Sequence, residues 1–230
     1  MAQKSGLKVT RKYTTPGDPY NNIEWESRSS KITNPDGSVV FEMNDVEIPS
    51  TWSQVATDIM VSKYFRKAGV PQTDIDGNVL KDETGDAVLG PETSSRQVFD
   101  RLAETWRHWG EKTGYFASSE DAQAFEDELK YMLATQMAAP NSPQWFNTGL
   151  NYKYDLTGPQ QGFWYVDPKT GKLTPGEDSY SRPQPHACFI QSIDDDLVNE
   201  GGIMDLWVKE ARLFKFCLLY TSPSPRDAQL

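Results

Sequence analysis

Between Trp52 and Ala68, apolar side chains recur at intervals of three and four residues, which predicts an amphipathic helix. Thr51 and Gln54 have the spacing of a capping box at its start, and Gly69 followed by Pro71 predicts its end. The predicted buried face consists of Trp52, Val55, Ala56, Ile59, Met60 and Tyr64.

Two later segments show the same helical spacing. The first extends from about Ser95 to Gly110, with a predicted buried face of Val98, Phe99, Leu102, Trp106 and Trp109. The second follows a cap at Ser118 or Ser119 and is expected to end at Pro140, because proline disfavours helical geometry in the residue before it. Its inward residues would be Phe125, Leu129, Met132, Leu133 and Met137. We therefore expect an all-α domain over residues 51–139.

Turn-forming residues dominate the segments around the first helix. Residues 1–50 have the pattern of an extended segment, with a strong turn signal at Asn34–Gly37 before the apolar run Val39–Phe41. Thr73–Pro91 is polar and predicts a loop or a small hairpin. No repeat of fixed period is apparent along the chain.

The pattern changes to mixed α and β over residues 140–216. Phe163–Val166 and Lys172–Leu173 flank the turn Asp167–Gly171, which predicts a hairpin. Pro185–Ile193 predicts a strand that carries Cys188. A fourth helix is expected over about Glu200–Lys215, with buried Ile203, Leu206, Trp207, Ala211 and Phe214.

The composition limits the possible partners. The 230 residues carry a net charge of -10, which argues against binding to a nucleic-acid backbone. The acids are spread along the chain, as on a solvated acidic surface. No apolar run is long enough to span a membrane and no signal peptide is apparent, so we expect a cytoplasmic protein without a membrane partner.

Generic motifs leave the chemistry open. The only cysteines are Cys188 and Cys217, and the only histidines are His108 and His186. Their spacing does not fit a zinc site, and two thiols are too few for a disulfide framework. A glycine-rich phosphate loop is also absent from the sequence.

Three short segments are candidates for a site. The hydroxyl of Ser142 and the backbone amides of Ala139–Gly149 could hold a phosphate or a sugar, although composition alone favours an ordinary connector. Cys188 could be a buried structural thiol or a reactive one, with His186 on the same face of the predicted strand. The run Asp194–Asp196 suits a solvated helix N-terminus, with metal binding a weak alternative.

In combination, these segments resemble the adenosylcobalamin-dependent (class II) ribonucleotide reductases. Ile48–Gln54 with Lys63–Lys67 resembles the helical N-terminal domain of that family, and Asn141–Gly149 resembles its substrate-side loop. Four further segments resemble the strand and helix that open the family's ten-stranded α/β barrel. They are Pro183–Phe189, Asp194–Asp196, Gly201–Trp207 and residues 211–216. The resemblance covers most of residues 30–216. It implies an α+β fragment, in which an all-α N-terminal domain precedes the first barrel elements.

The resemblance also assigns roles to residues. Cys188 aligns with the first cysteine of the redox pair, while Ser142 and the Ala187–Cys188 backbone align with substrate contacts. Asp195 aligns with an acid that binds a deoxynucleotide effector at the dimer interface. The implied cofactor is adenosylcobalamin, with most of its site outside this chain. The implied partners are a ribonucleotide (a diphosphate in the long forms), a thioredoxin-type dithiol and a second copy of the full-length protein.

The likeness stops after Phe216. Residues 217–230 resemble translated adapter or vector sequence, so we expect a non-native tail in which Cys217 is not the second redox cysteine. We also expect the 230-residue chain to be inactive alone, because the thiyl cysteine of the family would lie beyond this point. Two alternatives stay open: the large subunit of a class I reductase, and a non-catalytic acidic binding module.

Overall fold

The computed structural model describes residues 6–74, 76–160, 164–186 and 189–215. The chain divides into two compact units. The first comprises residues 1–139 and 149–156, and the second comprises residues 140–148 and 157–230. The tail expected over residues 217–230 lies outside the described residues.

The first unit begins its regular structure with an antiparallel hairpin. Strand β1 (Trp25–Thr33) pairs with β2 (Val39–Pro49), and the predicted turn at Asn34–Gly37 joins them. The Asp36 carboxylate accepts a hydrogen bond from the Ser38 amide and stabilises that turn. The sequence predicted the extended chain and the turn but not the pairing. Val46 and Ile48, at the end of β2, are fully buried.

The first helix differs from its prediction at both ends. Helix α1 (Gln54–Ile59) is capped by Ser53, whose hydroxyl accepts a hydrogen bond from the Ala56 amide, and not by Thr51. It continues as a π-helical turn, Met60–Tyr64, and ends before the predicted Ala68. The wider π turn changes which side chains face inward. The predicted core residues Val55 and Ile59, which precede this turn, are exposed, whereas Met60 and Val61 at its start are buried.

Helices α2 (Ser95–Lys112) and α3 (Ser119–Ala134) pack against each other and begin where the sequence predicts. Ser94 caps α2 in a capping box with Gln97, and Ser118 caps α3. The predicted end of α3 at Pro140 is wrong, because Gln136 adopts a left-handed conformation (φ 58°) and terminates the helix earlier. Trp109 and Met137, both predicted to be buried, are exposed.

The inward face of α3 is charged as well as apolar. Glu126, Asp127, Glu128 and Lys130 are all buried in the first unit. The Lys130 ammonium contacts carboxylate oxygens of Asp100, Glu104 and Glu126 at 3.0, 3.0 and 2.9 Å. Burial alone would lower the pKa of Lys130, but these carboxylates raise it above its usual value. The α2–α3 contact therefore includes a charge-compensated polar layer.

A second ion pair is completely buried. The Arg101 Nε of α2 lies 2.8 Å from a carboxylate oxygen of Glu92, and neither side chain is exposed to solvent. The same carboxylate accepts hydrogen bonds from the Arg66 amide at 2.8 Å and the Tyr154 hydroxyl at 2.9 Å. Tyr154 belongs to α5 (Leu150–Tyr154). Glu92 thus joins the segment after the π turn, helix α2 and helix α5.

The polar loop contains a repeat that the sequence analysis missed. Strands β3 (Val70–Pro71) and β4 (Leu89–Gly90) enclose two successive turns. The Leu80 amide donates to the Gln72 carbonyl, and the Val88 amide donates to the Leu80 carbonyl. The Gln72 amide donates in turn to the Val88 carbonyl, which closes the coil. Each of the first two bonds joins positions eight residues apart, so the loop is a two-repeat coil and not irregular chain.

Carboxylates of α3 hold the chain start. In residues 7–14, hereafter the N-terminal strap, the Val9 amide donates to Asp121 at 2.9 Å and the Thr14 amide donates to Glu128 at 2.9 Å. Arg11 pairs with Asp127 at 2.6 Å. Burial opposes ionisation of Glu128, but the bonds from Thr14 and from the strap backbone lower its pKa.

The second unit contains α4 (Ser142–Asn147), a hairpin of β5 (Trp164–Val166) and β6 (Leu173–Pro175), and α6 (Ile203–Lys215). The hairpin turns at Asp167–Gly171, as predicted. The strand predicted over Pro185–Ile193 is not observed in the described part of that range. A strand requires a hydrogen-bonded neighbour, and none of the described segments pairs with this one.

Helix α6 forms close to its predicted position, but its apolar side chains are not covered. Trp207 is 62% exposed and Phe214 is 48% exposed, contrary to the prediction that both are buried. Ile203, Met204 and Val208 are also exposed. Helical spacing identifies an apolar stripe, but burial needs a neighbour to cover it. The described residues of the second unit do not supply that neighbour.

We expect Arg101→Met to lower the free energy of unfolding of the 230-residue chain by about 3–5 kcal/mol, because it leaves the Glu92 carboxylate buried without its cation. Urea denaturation followed by tryptophan fluorescence measures the change. Lys31→Met is the matched control, since the exposed Lys31–Glu42 pair is worth at most about 1 kcal/mol. Equal effects of the two substitutions would contradict the central role of the buried pair.

The N-terminal strap should detach in acid. The pKa values of Glu128 and Asp121 are lowered in the folded chain, so their stabilisation is present at neutral pH and is lost as the pH falls below about 4. Amide exchange of the strap, read by NMR, measures this. At neutral pH, Glu128→Ala removes the acceptor and should expose the Thr14 amide while Val9 stays protected, whereas Asp121→Ala should do the reverse.

Candidate functional site

The segment predicted as a substrate-side loop is mostly a short helix. Asn141 is the N-cap of α4, and Ser142 is its first residue and is half-buried. Pro143 and Trp145 are buried beside it. Pro143 has no N–H, so this helix start offers fewer backbone donors to a ligand than the sequence pattern suggested. Ser142 is therefore the side chain of this segment with a hydroxyl at the helix start.

Side-chain and backbone bonds close the end of α4. The Thr148 amide donates to the Gln144 carbonyl at 3.0 Å, and the Thr148 hydroxyl donates to the Gln144 side-chain oxygen at 2.6 Å. Thr148 is only 1% exposed. This double contact fixes the last turn, so Ser142 belongs to a defined helix rather than to a mobile connector.

Gly149, the last residue of the motif, belongs to the first unit. Its φ is 84°, and a Cβ there would lie 2.2 Å from the Arg101 carbonyl oxygen. Both the left-handed conformation and this close approach require glycine. The following helix α5 is held by bonds from Tyr154 to Glu92 and from Lys153 to Glu104. Gly149 is thus a packing requirement that the motif pattern alone did not explain.

The predicted redox segment is described only in part. Ala187 and Cys188 lie outside the described residues. Next to them, His186 and Ile190 are exposed, and the described neighbours form no strand. The expectation that His186 and Cys188 share one face of a strand therefore has no support in the flanking backbone. Earlier in the second unit, the Arg182 guanidinium lies 4.0 Å from the centre of the Tyr165 ring.

The three consecutive acids occupy different environments. The Asp196 carboxylate accepts hydrogen bonds from the Val198 and Asn199 amides at 2.9 and 2.8 Å, which lowers its pKa. The Asp194 amide donates to the Gly201 carbonyl at 2.9 Å. Asp195 lies between them and is exposed. Among the described residues, its carboxylate forms no hydrogen bond or ion pair. The Asp196 carboxylate is thus bound within the loop and the Asp194 carboxylate lies against Gly201, whereas the Asp195 carboxylate is exposed.

Helix α6 receives its N-terminal cap from this segment. The Ile203 and Met204 amides donate to the carbonyls of Asp196 and Leu197 at 2.9 and 3.1 Å. The Asp205 carboxylate accepts a hydrogen bond from the Gly201 amide at 2.8 Å and pairs with Lys209 at the same distance. The first donors of α6 are thus already used, and a phosphate would have to bind elsewhere.

The sequence analysis missed the residues that give this acidic segment its shape. Gly201 and Gly202 close it, and each lies where a Cβ would meet Asp194 or Asp196. Two successive glycines directly after an acidic run are a readable signal for a closed loop. Sequence alone does not reveal which atoms approach each glycine.

The described residues offer no metal-binding group of three or more His, Cys, Asp or Glu side chains. His108 is stacked on Tyr152, with ring centres 4.6 Å apart, and His186 is exposed. None of the described helices is both long and apolar enough to cross a membrane.

Comparison with known proteins identifies the family. Residues 26–136 match the family model described as class II vitamin B12-dependent ribonucleotide reductase. The chain is 56% identical over 227 residues to a vitamin B12-dependent ribonucleotide reductase of Agrobacterium fabrum, and the match covers 91% of this chain and 18% of that protein. A protein of the same name from Bradyrhizobium diazoefficiens is 54% identical over 231 residues, and this match also covers 91% of this chain and 18% of that protein. One from Rhodopirellula baltica is 38% identical over 216 residues, covering 93% and 19%.

The chain therefore belongs to the family of class II vitamin B12-dependent ribonucleotide reductases, as its resemblance predicted. It spans less than a fifth of the length of these relatives. Residues 26–136, which match the family model, lie in the first unit, whereas the candidate site residues Ser142 and Asp195 lie in the second.

We expect the acids of the trio to respond differently to substitution. Asp196→Ala removes the acceptor for two backbone amides, so the Val198 and Asn199 amides should lose most of their protection from hydrogen exchange. Asp195→Ala is the matched control and should leave both amides protected. Amide exchange of the 230-residue chain, followed by NMR, measures both. Loss of protection in the Asp195 variant would contradict the assignment of separate environments.

Proposed function

We propose that the full-length protein that carries this segment reduces ribonucleotides to deoxyribonucleotides for DNA synthesis. The names and similarity of the relatives support the reaction class. The observation that carries the assignment to this chain is residue-level: Ser142 occupies the first turn of a fixed helix, and the exposed Asp195 carboxylate forms no hydrogen bond or ion pair among the described residues. We further propose that the substrate is a ribonucleoside diphosphate and that the protein is cytoplasmic.

Ser142, Ala187 and Cys188 form the proposed substrate contacts. A hydroxyl and backbone amides are neutral donors, which suit phosphate or ribose oxygens. In the proposed reaction, water leaves C2′ of the ribose while Cys188 and a second thiol give up two electrons and two protons and form a disulfide. A thioredoxin-type dithiol then reduces that disulfide by exchange. Cys188 thus acts as a reductant and has to be regenerated after every turnover.

Asp195 is the proposed contact for a deoxynucleotide effector in a homodimer. An exposed carboxylate accepts hydrogen bonds from hydroxyl or amino groups, so the ribose or base of the effector is its natural partner rather than the phosphates. Asp194 and Asp196 are held in local backbone contacts. Because the Asp196 carboxylate is already bound by two loop amides, these contacts favour Asp195 over Asp196 as the effector contact.

The described residues do not assemble a site for the cobalamin. Neither histidine is placed in a ligand group, and no carboxylate–histidine cluster lies among the described residues. When bound, adenosylcobalamin would supply the radical that starts the reaction, and the protein would supply thiols, orientation and exclusion of water. This chain contributes the proposed thiol and nucleotide contacts. We also propose that residues 140–216 form the start of the family's α/β barrel, after the N-terminal domain.

The full-length protein provides the main test. Cys188→Ser should abolish multiple turnover with a dithiol reductant, because one partner of the disulfide is missing. Substrate binding should persist, since the proposed contact of residue 188 with the substrate is through its backbone and serine adds no bulk. Product formation over time and equilibrium binding of a ribonucleoside diphosphate measure the two effects.

Two controls sharpen this test. Ser142→Ala should raise KM without abolishing turnover, because it removes one neutral contact worth about 0.5–1.5 kcal/mol. The 230-residue chain, supplied with adenosylcobalamin and a dithiol, should form no deoxyribonucleotide. Full multiple turnover by the Cys188 variant would refute the redox role, and turnover by the 230-residue chain would refute its predicted inactivity.

A further inference from the structure

The segment from Asp194 to Gly202, hereafter the acid loop, is closed by its last two residues. The Gly201 carbonyl accepts from the Asp194 amide at 2.9 Å, and the Gly201 amide donates to the Asp205 carboxylate at 2.8 Å. The Gly202 amide donates to the Asn199 carbonyl at 3.0 Å. The two ends of the loop therefore lie against each other directly before helix α6.

Gly201 tolerates no other residue without strain. Its φ is 87°, a conformation that side chains with a Cβ rarely adopt. A Cβ there would lie 2.6 Å from the Asp194 carboxylate oxygen. That oxygen ends a flexible side chain and can move aside. A substitution at Gly201 therefore strains mainly the local backbone.

Gly202 is limited by its neighbours instead. A Cβ there would lie 2.5 Å from the Asp196 carbonyl oxygen, 3.0 Å from the carbonyl carbon of the same residue and 3.1 Å from the Asn199 carbonyl oxygen. These atoms are backbone and cannot rotate away. The Asp196 carbonyl is also the acceptor for the Ile203 amide at 2.9 Å. A side chain at Gly202 would push the loop backbone away from α6.

Both backbone neighbours of Asp195 depend on these contacts. Asp194 is held through its amide by the Gly201 carbonyl, and Asp196 is held through its carbonyl by the start of α6. The Asp196 amide also donates to the Asp194 carbonyl at 2.7 Å, which makes a tight bend around Asp195. The backbone position of Asp195, from which its exposed side chain extends, therefore depends on the glycine pair.

We propose that Gly201 and Gly202 are positioning residues that orient Asp195 toward a deoxynucleotide effector and so set the response of the enzyme to that effector. This inference rests on the proposed effector contact of Asp195. The glycines touch neither substrate nor effector. They act through the backbone of the acid loop, and their substitution should weaken effector binding while Asp195 is still present.

The test uses the full-length protein and compares Gly202→Ala, Gly201→Ala and Asp195→Asn. The control is Gly171→Ala, which places a Cβ at a positive φ of 66° in the exposed hairpin turn of the same unit, where no atom lies within 4 Å. Ribonucleotide reduction is titrated with each deoxynucleoside triphosphate. The apparent effector dissociation constant and the maximal rate at saturating effector are read separately.

Asp195→Asn and both acid-loop glycine variants should raise the apparent effector dissociation constant about tenfold or more, the loss expected for a charged hydrogen bond. Saturating effector should restore the maximal rate of the glycine variants, and Gly171→Ala should bind effector normally. A lowered maximal rate that saturation does not restore would mean general structural damage and would overturn the inference. If Gly202→Ala does not fold, the milder Gly201→Ala carries the test.

The two proposals can fail separately. If Asp195→Asn weakens effector binding and both glycine variants bind normally, the positioning role is wrong and the effector contact stands. If Asp195→Asn binds every effector normally, the proposed effector contact itself is wrong, and the inference falls with it.

Discussion

The first unit depends on a charge pair that has no access to water. Glu92 and Arg101 are both fully buried, and each of their charges would be strongly unfavourable in that position alone. The Glu92 carboxylate is satisfied only because Arg101, the Arg66 amide and the Tyr154 hydroxyl converge on it. Two of these partners, Arg66 and Tyr154, lie 26 and 62 residues from Glu92 along the chain. The arrangement therefore forms only when all of them are in place, which makes the pair a device for specificity as much as for stability.

The same logic extends over helix α3. Lys130 lies among three carboxylates, and burial raises the pKa of one of them, Asp100, even though the lysine opposes that rise. The strap is bound to the outer carboxylates of the same helix, Asp121 and Glu128. A helix with so many acids would be expected on a solvated surface, but here the acids are acceptors for backbone and cations. The first unit is thus organised by polar contacts around a modest apolar core.

The second unit has a different character. Its fixed parts are short and local: the closed end of α4, the β5–β6 hairpin and the acid loop that caps α6. The apolar side of α6 is exposed in the described part of the chain. The candidate site residues belong to these local devices, so their geometry does not depend on a large core. Glycines at the positions that close these segments fix the local geometry, because backbone atoms can approach closely only where a Cβ is absent.

The sequence determined the local elements whose signals lie within a few residues. The Ser118 cap, the Asn34–Gly37 turn and the Asp167–Gly171 turn were all found, because caps and turns depend on neighbouring side chains. The family was also evident from the order of its motifs. Ser142 and Asp195 were identified as candidates, and their functional roles stay predictions.

Only the tertiary structure decided which partners meet over long distances. Three features depend on which atoms cover or contact a residue in the folded chain. They are the exposure of Trp207, the π turn after Ile59 and the pairing of Glu92 with Arg101. A periodic stripe marks a face that can be buried, but it does not say whether a neighbour is present. Likewise, two glycines after three acids predict a turn, whereas the atoms that exclude a Cβ at Gly202 come from a backbone that has already folded back. Caps and turns are determined by adjacent residues, whereas burial and charge pairing depend on which segments the fold brings together.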